Sequence, residues 1–166
     1  MITQHARLNS ILALLPTPRI ALDLGCGACT DLISANFYGA EWVVGVDHDL
    51  LALRWAKRLN TPRLWLVHAD IAHLPLTETF DLVLVRHPDV VRSRPAWLAA
   101  LNALPRLSVR RGHILLTTYE QHEIDWIQVT VQAVAPNLTP IPLPDERLAP
   151  VGLAGRDRFY RVYRCA

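Results

Sequence analysis

The residues best placed for ligand chemistry lie in the stretch IALDLGCGACT, residues 20–30. Its apolar run and two closely spaced glycines, Gly25 and Gly27, predict a buried strand, a tight turn and the start of a helix. The free backbone N–H groups of such a helix start favour a nucleotide-type ligand. The dinucleotide fingerprint has a third glycine where this chain has Thr30. NAD is therefore disfavoured, and the nearby carboxylate of Asp23 favours a cationic ligand instead.

A second carboxylate, Asp47, closes the apolar run WVVGVD about twenty residues after the glycine turn. At that spacing a carboxylate can accept hydrogen bonds from ribose hydroxyls. The alternative role is a cap for the helix that begins near Asp49. We expect Asp47 to bind ribose, because a carboxylate at this distance from a glycine turn is typical of a nucleotide site and a helix cap alone does not account for that spacing.

Cys26 and Cys29 form a C-x-x-C pair at the same turn, a spacing typical of redox sites. The glycine pattern and the strand-end carboxylates have no role in a redox domain, so a redox protein is only a minor alternative. A zinc site needs two further ligands, and neither Cys165 nor the scattered histidines supply a second close pair. We predict no metal site, and the absence of a disulfide framework favours a reducing compartment.

The elements that position these residues follow from short β-rich runs that alternate with helical segments. Predicted strands are Ile20–Leu24, Trp42–Asp47, Leu64–His68, Phe80–Val85 and His113–Thr118. Predicted helices are Ala28–Tyr38, Leu50–Leu59, Ala96–Leu107 and Gln121–Ala135, preceded by an amphipathic helix within Met1–Leu15. This alternation predicts right-handed βαβ units and a parallel sheet covered on both faces, with ligands bound beyond the carboxyl ends of the strands.

The glycine turn resembles the first motif of the class I S-adenosylmethionine-dependent methyltransferases, D/E-x-G-x-G-x-G. Asp23, Gly25 and Gly27 match this motif, and Cys29 stands at its third glycine. The stretches HADIAHLPLTETFDLVLV and LPRLSVRRGHILLTT, the latter with Gly112 at a bend, are similar to later motifs of the family. The resemblance therefore covers residues 20–118.

The family resemblance implies an α/β fold, a Rossmann-like three-layer sandwich with a mostly parallel seven-stranded sheet whose last strand is antiparallel. We expect that last strand at Phe159–Tyr163, beside the fifth strand and after a turn at Gly155. A weaker sixth strand is expected at Thr139–Leu143.

The resemblance also implies S-adenosylmethionine as the cofactor. In the family, the position of Asp70 commonly lies beside the adenine amino group, and Ile71 could contact the adenine face. The predicted cofactor-binding residues are Asp23, Gly25, Cys26, Gly27, Asp47, His48, Asp70, Ile71 and Arg86.

The sequence VRHPDVV follows the fourth strand, where the family often places residues that face the acceptor. Arg86 could bind an anionic acceptor, and His87 could remove its proton. Equally, Pro88 and Asp89 could simply turn the chain and leave His87 solvated. The N/D-P-P-Y/F sequence used on amino-group acceptors is absent, and a single lysine, Lys57, excludes the two-lysine tetrad of ribose-methylating enzymes.

The predicted function is methyl transfer from S-adenosylmethionine to a small-molecule acceptor, with a non-catalytic S-adenosylmethionine-binding module as the alternative. Length and composition, 166 residues with 51% hydrophobic and 19% charged, predict one globular domain over residues 1–166. A net charge of +2 makes no strong case for nucleic acid or a membrane surface. The polar residues within Met1–Leu15 do not fit a signal peptide, so we expect a cytoplasmic protein, and a homodimer is left open.

Overall fold

The computed structural model describes residues 5–30, 36–58, 60–77, 79–151 and 156–166. One seven-stranded sheet has the order β3-β2-β1-β4-β5-β7-β6. The strands are β1 (Ile20–Leu24), β2 (Trp42–Asp47), β3 (Leu64–His68), β4 (Phe80–Arg86), β5 (Ser108–Thr118), β6 (Leu138–Pro140) and β7 (Phe159–Cys165). The first five strands are parallel, whereas β7 is antiparallel to both β5 and β6. The predicted sheet and its antiparallel last strand are confirmed.

The α-helices that the structure describes are α1 (Ala6–Leu12), α2 (Leu50–Lys57), α3 (Arg94–Leu107) and α4 (Gln121–Val134). Short 3₁₀ helices cover Asn36–Gly39, Ile71–His73 and Asp145–Arg147. Helix α3 starts after Ser93, with Pro95 in its first turn, because proline lacks an N–H that would need a partner there. In the described part of the chain, no helix is both long and apolar enough to cross a bilayer.

Two apolar clusters lie on opposite faces of the sheet and make the fold three-layered. On one face, α3 and α4 bury residues such as Leu101 and Ile127 against Leu22 and Val44. On the other, α1 and α2 contribute Leu8 and Ala56. Alternate residues of the central strands supply the two clusters because successive side chains in a strand point to opposite faces.

Some predicted boundaries are wrong. The helix predicted at Ala28–Tyr38 does not begin at Ala28, because Cys29 has φ 56° and Thr30 is the first helical residue. Residues 31–35 of that segment lie outside the described residues, as do residues 1–4 and Leu59 of two other predicted helices and the predicted turn at Gly155.

Strands at the C-terminal edge also differ from their predicted limits. β6 is Leu138–Pro140 rather than Thr139–Leu143, and β7 extends to Cys165. β5 begins at Ser108, and Gly112 lies within that strand, at an irregularity in its pairing with β4. A β-carbon at Gly112 would lie 2.9 Å from the carbonyl oxygen of Val109, so the irregular backbone leaves no room for a side chain.

Candidate functional site

The glycine turn is tied to the neighbouring strand by its own backbone. The N–H groups of Gly25 and Cys26 donate to the carbonyl oxygen of Val46, at 2.8 and 3.0 Å. Gly25 and Gly27 have φ 75° and 54°, as the sequence predicted for a left-handed turn. Among the atoms of the residues that the structure describes, none lies within 4 Å of the place of a β-carbon at Gly27. The turn therefore presents bare backbone to an open space, and a ligand can approach it closely.

The third glycine position of the family motif, Cys29, also adopts a left-handed conformation, φ 56°. This conformation costs a residue with a β-carbon roughly 1–2 kcal/mol. A glycine would adopt the same angle without that cost, which is the physical reason that a glycine suits this position. Cys29 is 1% exposed, so burial of its side chain offsets part of the cost.

Asp47 holds the glycine turn against the end of β2. Its Oδ2 accepts a hydrogen bond from the Gly27 N–H at 2.8 Å, and its Oδ1 accepts from the Asp49 N–H at 2.8 Å. Helix α2 is capped by Asp49, which accepts from the N–H groups of Leu51 and Ala52. The capping role considered for Asp47 therefore belongs to Asp49. Each carboxylate oxygen of Asp47 still has a second lone pair for a ligand hydroxyl.

An open cavity of about 500 Å³ lies beside this carboxylate and includes Gly27 in its wall. Its other lining residues are Asp47, His48, Asp49, Leu50, Leu51 and Ala52. His48 is on its rim, with 85% of its side chain exposed and Nδ1 3.4 Å from Asp47 Oδ1. The two oxygens that the sequence assigns to ribose thus border an open space large enough for a ribose ring.

Asp70 and Ile71 follow β3, directly beside the Asp47 strand end. The Ala69 N–H donates to the Asp47 carbonyl oxygen, which brings the two strand ends together. Asp70 caps the short helix Ile71–His73 through the Ala72 N–H, and 58% of its side chain is exposed. Its second oxygen faces His73 at 3.7 Å. Asp70 is therefore accessible to a ligand, and Ile71 is partly buried against the core.

Cys26 and Cys29 direct their thiols at β2. A β-carbon at Gly45 would lie 2.8 Å from Cys26 Sγ and 3.3 Å from Cys29 Sγ, so only glycine leaves room for both sulfurs. A hydrogen bond with Cys29, burial and the charges of Asp23 and Asp47 all raise the pKa of the Cys26 thiol. A redox pair needs a readily formed thiolate. The surroundings of Cys26 thus disfavour the thiolate that a redox pair would use.

Asp23 lies beneath the turn and is 4% exposed. Its Oδ2 accepts a hydrogen bond from the Tyr38 hydroxyl at 2.8 Å. Burial, and then the charge of Asp23, raise the pKa of Tyr38 well above its ordinary value, so the phenol keeps its proton and remains a donor. Tyr38 also interacts with Arg86, which connects Asp23 to the end of β4.

Arg86 is held in a buried ion pair with Asp157. Its Nε and Nη2 donate to the two carboxylate oxygens at 3.1 and 2.8 Å, and 6% of the arginine side chain is exposed. Burial alone would favour the neutral carboxyl, but the interactions with His87 and Arg86 hold the pKa of Asp157 well below its usual range. This geometry does not favour direct binding of an acceptor or the cofactor by Arg86.

His87 is enclosed rather than solvated, with 11% of its side chain exposed. Its backbone has φ 50°, and its N–H donates to the Thr117 carbonyl oxygen at 2.8 Å. The imidazole stacks on Tyr119 with ring centroids 3.8 Å apart. Asp89, by contrast, turns the chain by accepting from the Arg92 N–H. The turn interpretation is thus right for Asp89 and wrong for His87.

Sequence reasoning missed Tyr38, Thr117, Tyr119 and Asp157, which surround the predicted residues. Thr117 donates its hydroxyl to Asp157 Oδ1 at 2.7 Å. The pairing of Arg86 with Thr117, and of Thr118 with Phe159, brings these segments together. No local sequence signal marks Asp157, because its partners lie on two strands far from it along the chain.

A family model described as a methyltransferase domain matches residues 21–112. No curated protein sequence matches the chain significantly.

Among solved structures, the fold is similar to that of the N-methyltransferase NodS from Bradyrhizobium japonicum in complex with S-adenosyl-L-homocysteine. The TM-score is 0.73 at 13% identity, over 98% of this chain and 85% of that one. A TehB-like SAM-dependent methyltransferase from Corynebacterium glutamicum matches with TM-score 0.69 and 20% identity, over 100% and 89% of the chains. A Haloferax volcanii methyltransferase, described as putative and in complex with the Trm112 activator, matches with TM-score 0.72 and 15% identity, over 98% and 90%.

Proposed function

Because the chain belongs to the methyltransferase domain family, whose model matches more than half of it, we propose that it transfers a methyl group to a small-molecule acceptor. S-adenosylmethionine is the cofactor of this fold and family. It supplies a methyl group that is already activated by its bond to a sulfonium sulfur. The protein then has to bind the cofactor, align the acceptor and accept any proton that the acceptor loses.

The glycine turn and the adjoining strand ends fit this cofactor. The space in front of Gly27 leaves room for a ligand against bare backbone, and the buried carboxylate of Asp23 suits a cationic amino-acid portion. Asp47 and His48 border the cavity where we place the ribose. Asp70 and Ile71, at the next strand end, would then contact the adenine.

The observation that carries the proposal for catalysis is the environment of His87. The imidazole is held at the end of β4, and both of its ring nitrogens are buried with no hydrogen-bond partner among the residues that the structure describes, although Nε2 lies 3.3 Å from Asp157 Oδ1. Because Nδ1 is buried, an acceptor reaches it only if the side chains around the imidazole move aside. A small molecule can do so more easily than the surface of a folded macromolecule, and Nδ1 is then available to accept its proton.

One observation favours the second candidate, a non-catalytic S-adenosylmethionine-binding module. Arg86, one of the two residues predicted to face the acceptor, is committed to Asp157. If Arg86, His87 and Asp157 serve only to stabilise this end of the sheet, the protein binds the cofactor but does not transfer a methyl group.

A screen with methyl-labelled S-adenosylmethionine against small-molecule, protein and RNA pools tests the two candidates, and calorimetry with S-adenosylhomocysteine measures cofactor binding. We expect label on a small molecule. We expect His87→Gln to bind S-adenosylhomocysteine within a few-fold of wild type and to transfer the methyl group about 10² to 10⁴ times more slowly. Binding without transfer to any pool would establish the module instead. Binding of NAD but not of S-adenosylhomocysteine would exclude both candidates.

A further inference from the structure

Asp157 is the centre of a buried polar cluster that the cofactor site does not explain. Its side chain is 1% exposed and lies just before β7. Oδ2 accepts from Arg86 Nη2, whereas Oδ1 accepts from both Arg86 Nε and the Thr117 hydroxyl. These donors keep the carboxylate charged and prevent it from changing its orientation.

The same carboxylate faces the imidazole of His87. Nε2 of His87 lies 3.3 Å from Asp157 Oδ1, a close contact whose angles fall short of a hydrogen bond. The stacking on Tyr119 and the backbone hydrogen bond to Thr117 hold the ring in place. The imidazole therefore cannot easily turn Nε2 towards another partner.

A carboxylate accepts hydrogen bonds and cannot donate them when ionised. A proton on Nε2 is attracted to Asp157, whereas a bare Nε2 would place its lone pair against a negative oxygen. In a neutral imidazole, a proton on Nε2 leaves Nδ1 bare. Neither ring nitrogen has a hydrogen-bond partner in the described part of the chain, but Nε2 is the one that lies within 3.3 Å of the Asp157 carboxylate.

We propose that Asp157 is a positioning residue that holds His87 as its Nε2–H tautomer, so that Nδ1 is the base for an acceptor that must lose a proton. This inference rests on the proposed function, in which His87 faces the acceptor. The acceptor class is a hydroxyl compound or a protonated amine. Its proton passes to Nδ1 as its oxygen or nitrogen forms the bond to the methyl carbon. The electron pair of the broken carbon–sulfur bond stays on sulfur, and the proton then passes from Nδ1 to solvent.

Heteronuclear NMR of ¹⁵N-histidine-labelled protein tests this tautomer without any acceptor. The chain has seven histidines, so the His87 signals are identified by their loss in His87→Gln. At a pH at which the ring is neutral, we expect a protonated Nε2 whose proton exchanges slowly because the ring is enclosed, and a bare Nδ1. A proton on Nδ1, or an Nε2 proton that exchanges as fast as that of an exposed histidine, would overturn the proposal.

The Asp157→Asn variant tests the role of the carboxylate, and Thr117→Val is the matched control. We expect Asp157→Asn to remove the preference for Nε2–H and to yield a mixture of tautomers. Thr117→Val removes a competing donor from Oδ1 and keeps the carboxylate, so the Nε2–H tautomer should remain. Persistence of the Nε2–H tautomer alone in folded Asp157→Asn would overturn the proposal. If that variant does not fold, Arg86→Gln combined with Asp157→Asn removes both buried charges, and the same loss is expected.

Activity supplies a separate readout once an acceptor is found. Asp157→Asn should lower kcat about 10- to 100-fold and leave the affinity for S-adenosylhomocysteine within a few-fold, because Asp157 acts through His87. An unchanged kcat would overturn the positioning role. If the wild-type protein transfers no methyl group, the proposed function fails, whereas the tautomer measurement still decides whether Asp157 controls His87.

Discussion

Replacing Asp47 by Asn tests how the cofactor site is built, because one carboxylate both holds the glycine turn and borders the open cavity. The two Asp47 oxygens accept from the N–H groups of Gly27 and Asp49, each at 2.8 Å. Asparagine keeps the size of the side chain but has only one acceptor oxygen. Its NH₂ group would face one of these backbone donors, so the turn loses one tether and gains an unfavourable contact.

The magnitude follows from the burial of this site. A hydrogen bond to a charged group contributes about 1.5 to 3 kcal/mol, and Asp47 is 7% exposed, so solvent compensates little of the loss. We expect Asp47→Asn to lower the free energy of unfolding by about 1 to 3 kcal/mol. A ribose hydroxyl that loses its charged acceptor should weaken the binding of S-adenosylhomocysteine by a similar free energy, roughly 5- to 150-fold.

Asp49→Asn is the matched control, because it makes the same chemical change two residues away. Asn and Asp are about equally good caps for a helix, so the stability of α2 should be nearly unaffected. Asp49 also lines the cavity, but its Oδ1 is engaged by the helix N–H groups, so the affinity should change much less than in Asp47→Asn. Calorimetry with S-adenosylhomocysteine and urea unfolding measure the two quantities for each variant. Unchanged affinity in folded Asp47→Asn would refute the ribose assignment, and unchanged stability would refute the tethering role.

Three further predictions concern the turn, the thiols and the buried cluster. Gly27→Ala should lower the free energy of unfolding by about 1 kcal/mol and weaken S-adenosylhomocysteine binding by at least ~10-fold. The control Gly39→Ala, also at positive φ, should leave the affinity unchanged. Equal affinities of the two variants in calorimetry would contradict this prediction. Gly45→Ala should lower the free energy of unfolding by about 1 to 3 kcal/mol, because its β-carbon would meet Cys26 Sγ. In urea unfolding, the double variant with Cys26→Ala should recover most of that loss, since the thiol is then gone. Losses that simply add would show that the thiol is not the cause. The lowered pKa of Asp157 contributes stability that is present above its unfolded value, about 3.9, and is lost as pH falls through the folded value. The difference in unfolding free energy between wild type and Asp157→Asn should therefore shrink as pH falls below about 4; a difference that grows on acidification from about pH 4 would contradict this.

The sheet and the cofactor turn could be predicted because their signals are local. Apolar runs at Ile20–Leu24 and Trp42–Asp47 bury both faces of a central strand, and their limits agree with the observed strands. The two turn glycines take the left-handed angles for which only glycine has no steric cost. The helix after the glycine turn begins at Thr30 rather than at the predicted Ala28, because nothing in the residue type of Cys29 shows that it, too, adopts a left-handed angle.

The cluster at the end of β4 could not be predicted, because long-range pairing creates it. The sequence alone predicted that Arg86 binds an acceptor and that His87 removes its proton, but it did not show which side chains contact these two residues. The antiparallel pairing of β7 with β5 places Asp157 against Arg86 and His87. Arg86, which was expected to bind an acceptor, therefore forms a buried ion pair with Asp157 instead.

The sequence by itself determined the order of the elements, the strand-end carboxylates and the family, since these depend on periodicity, glycine and spacing within short segments. Only the tertiary structure decided what each polar side chain contacts. A carboxylate buried beside an arginine behaves differently from the same residue in a loop, and that environment is set by strand register rather than by neighbours in sequence.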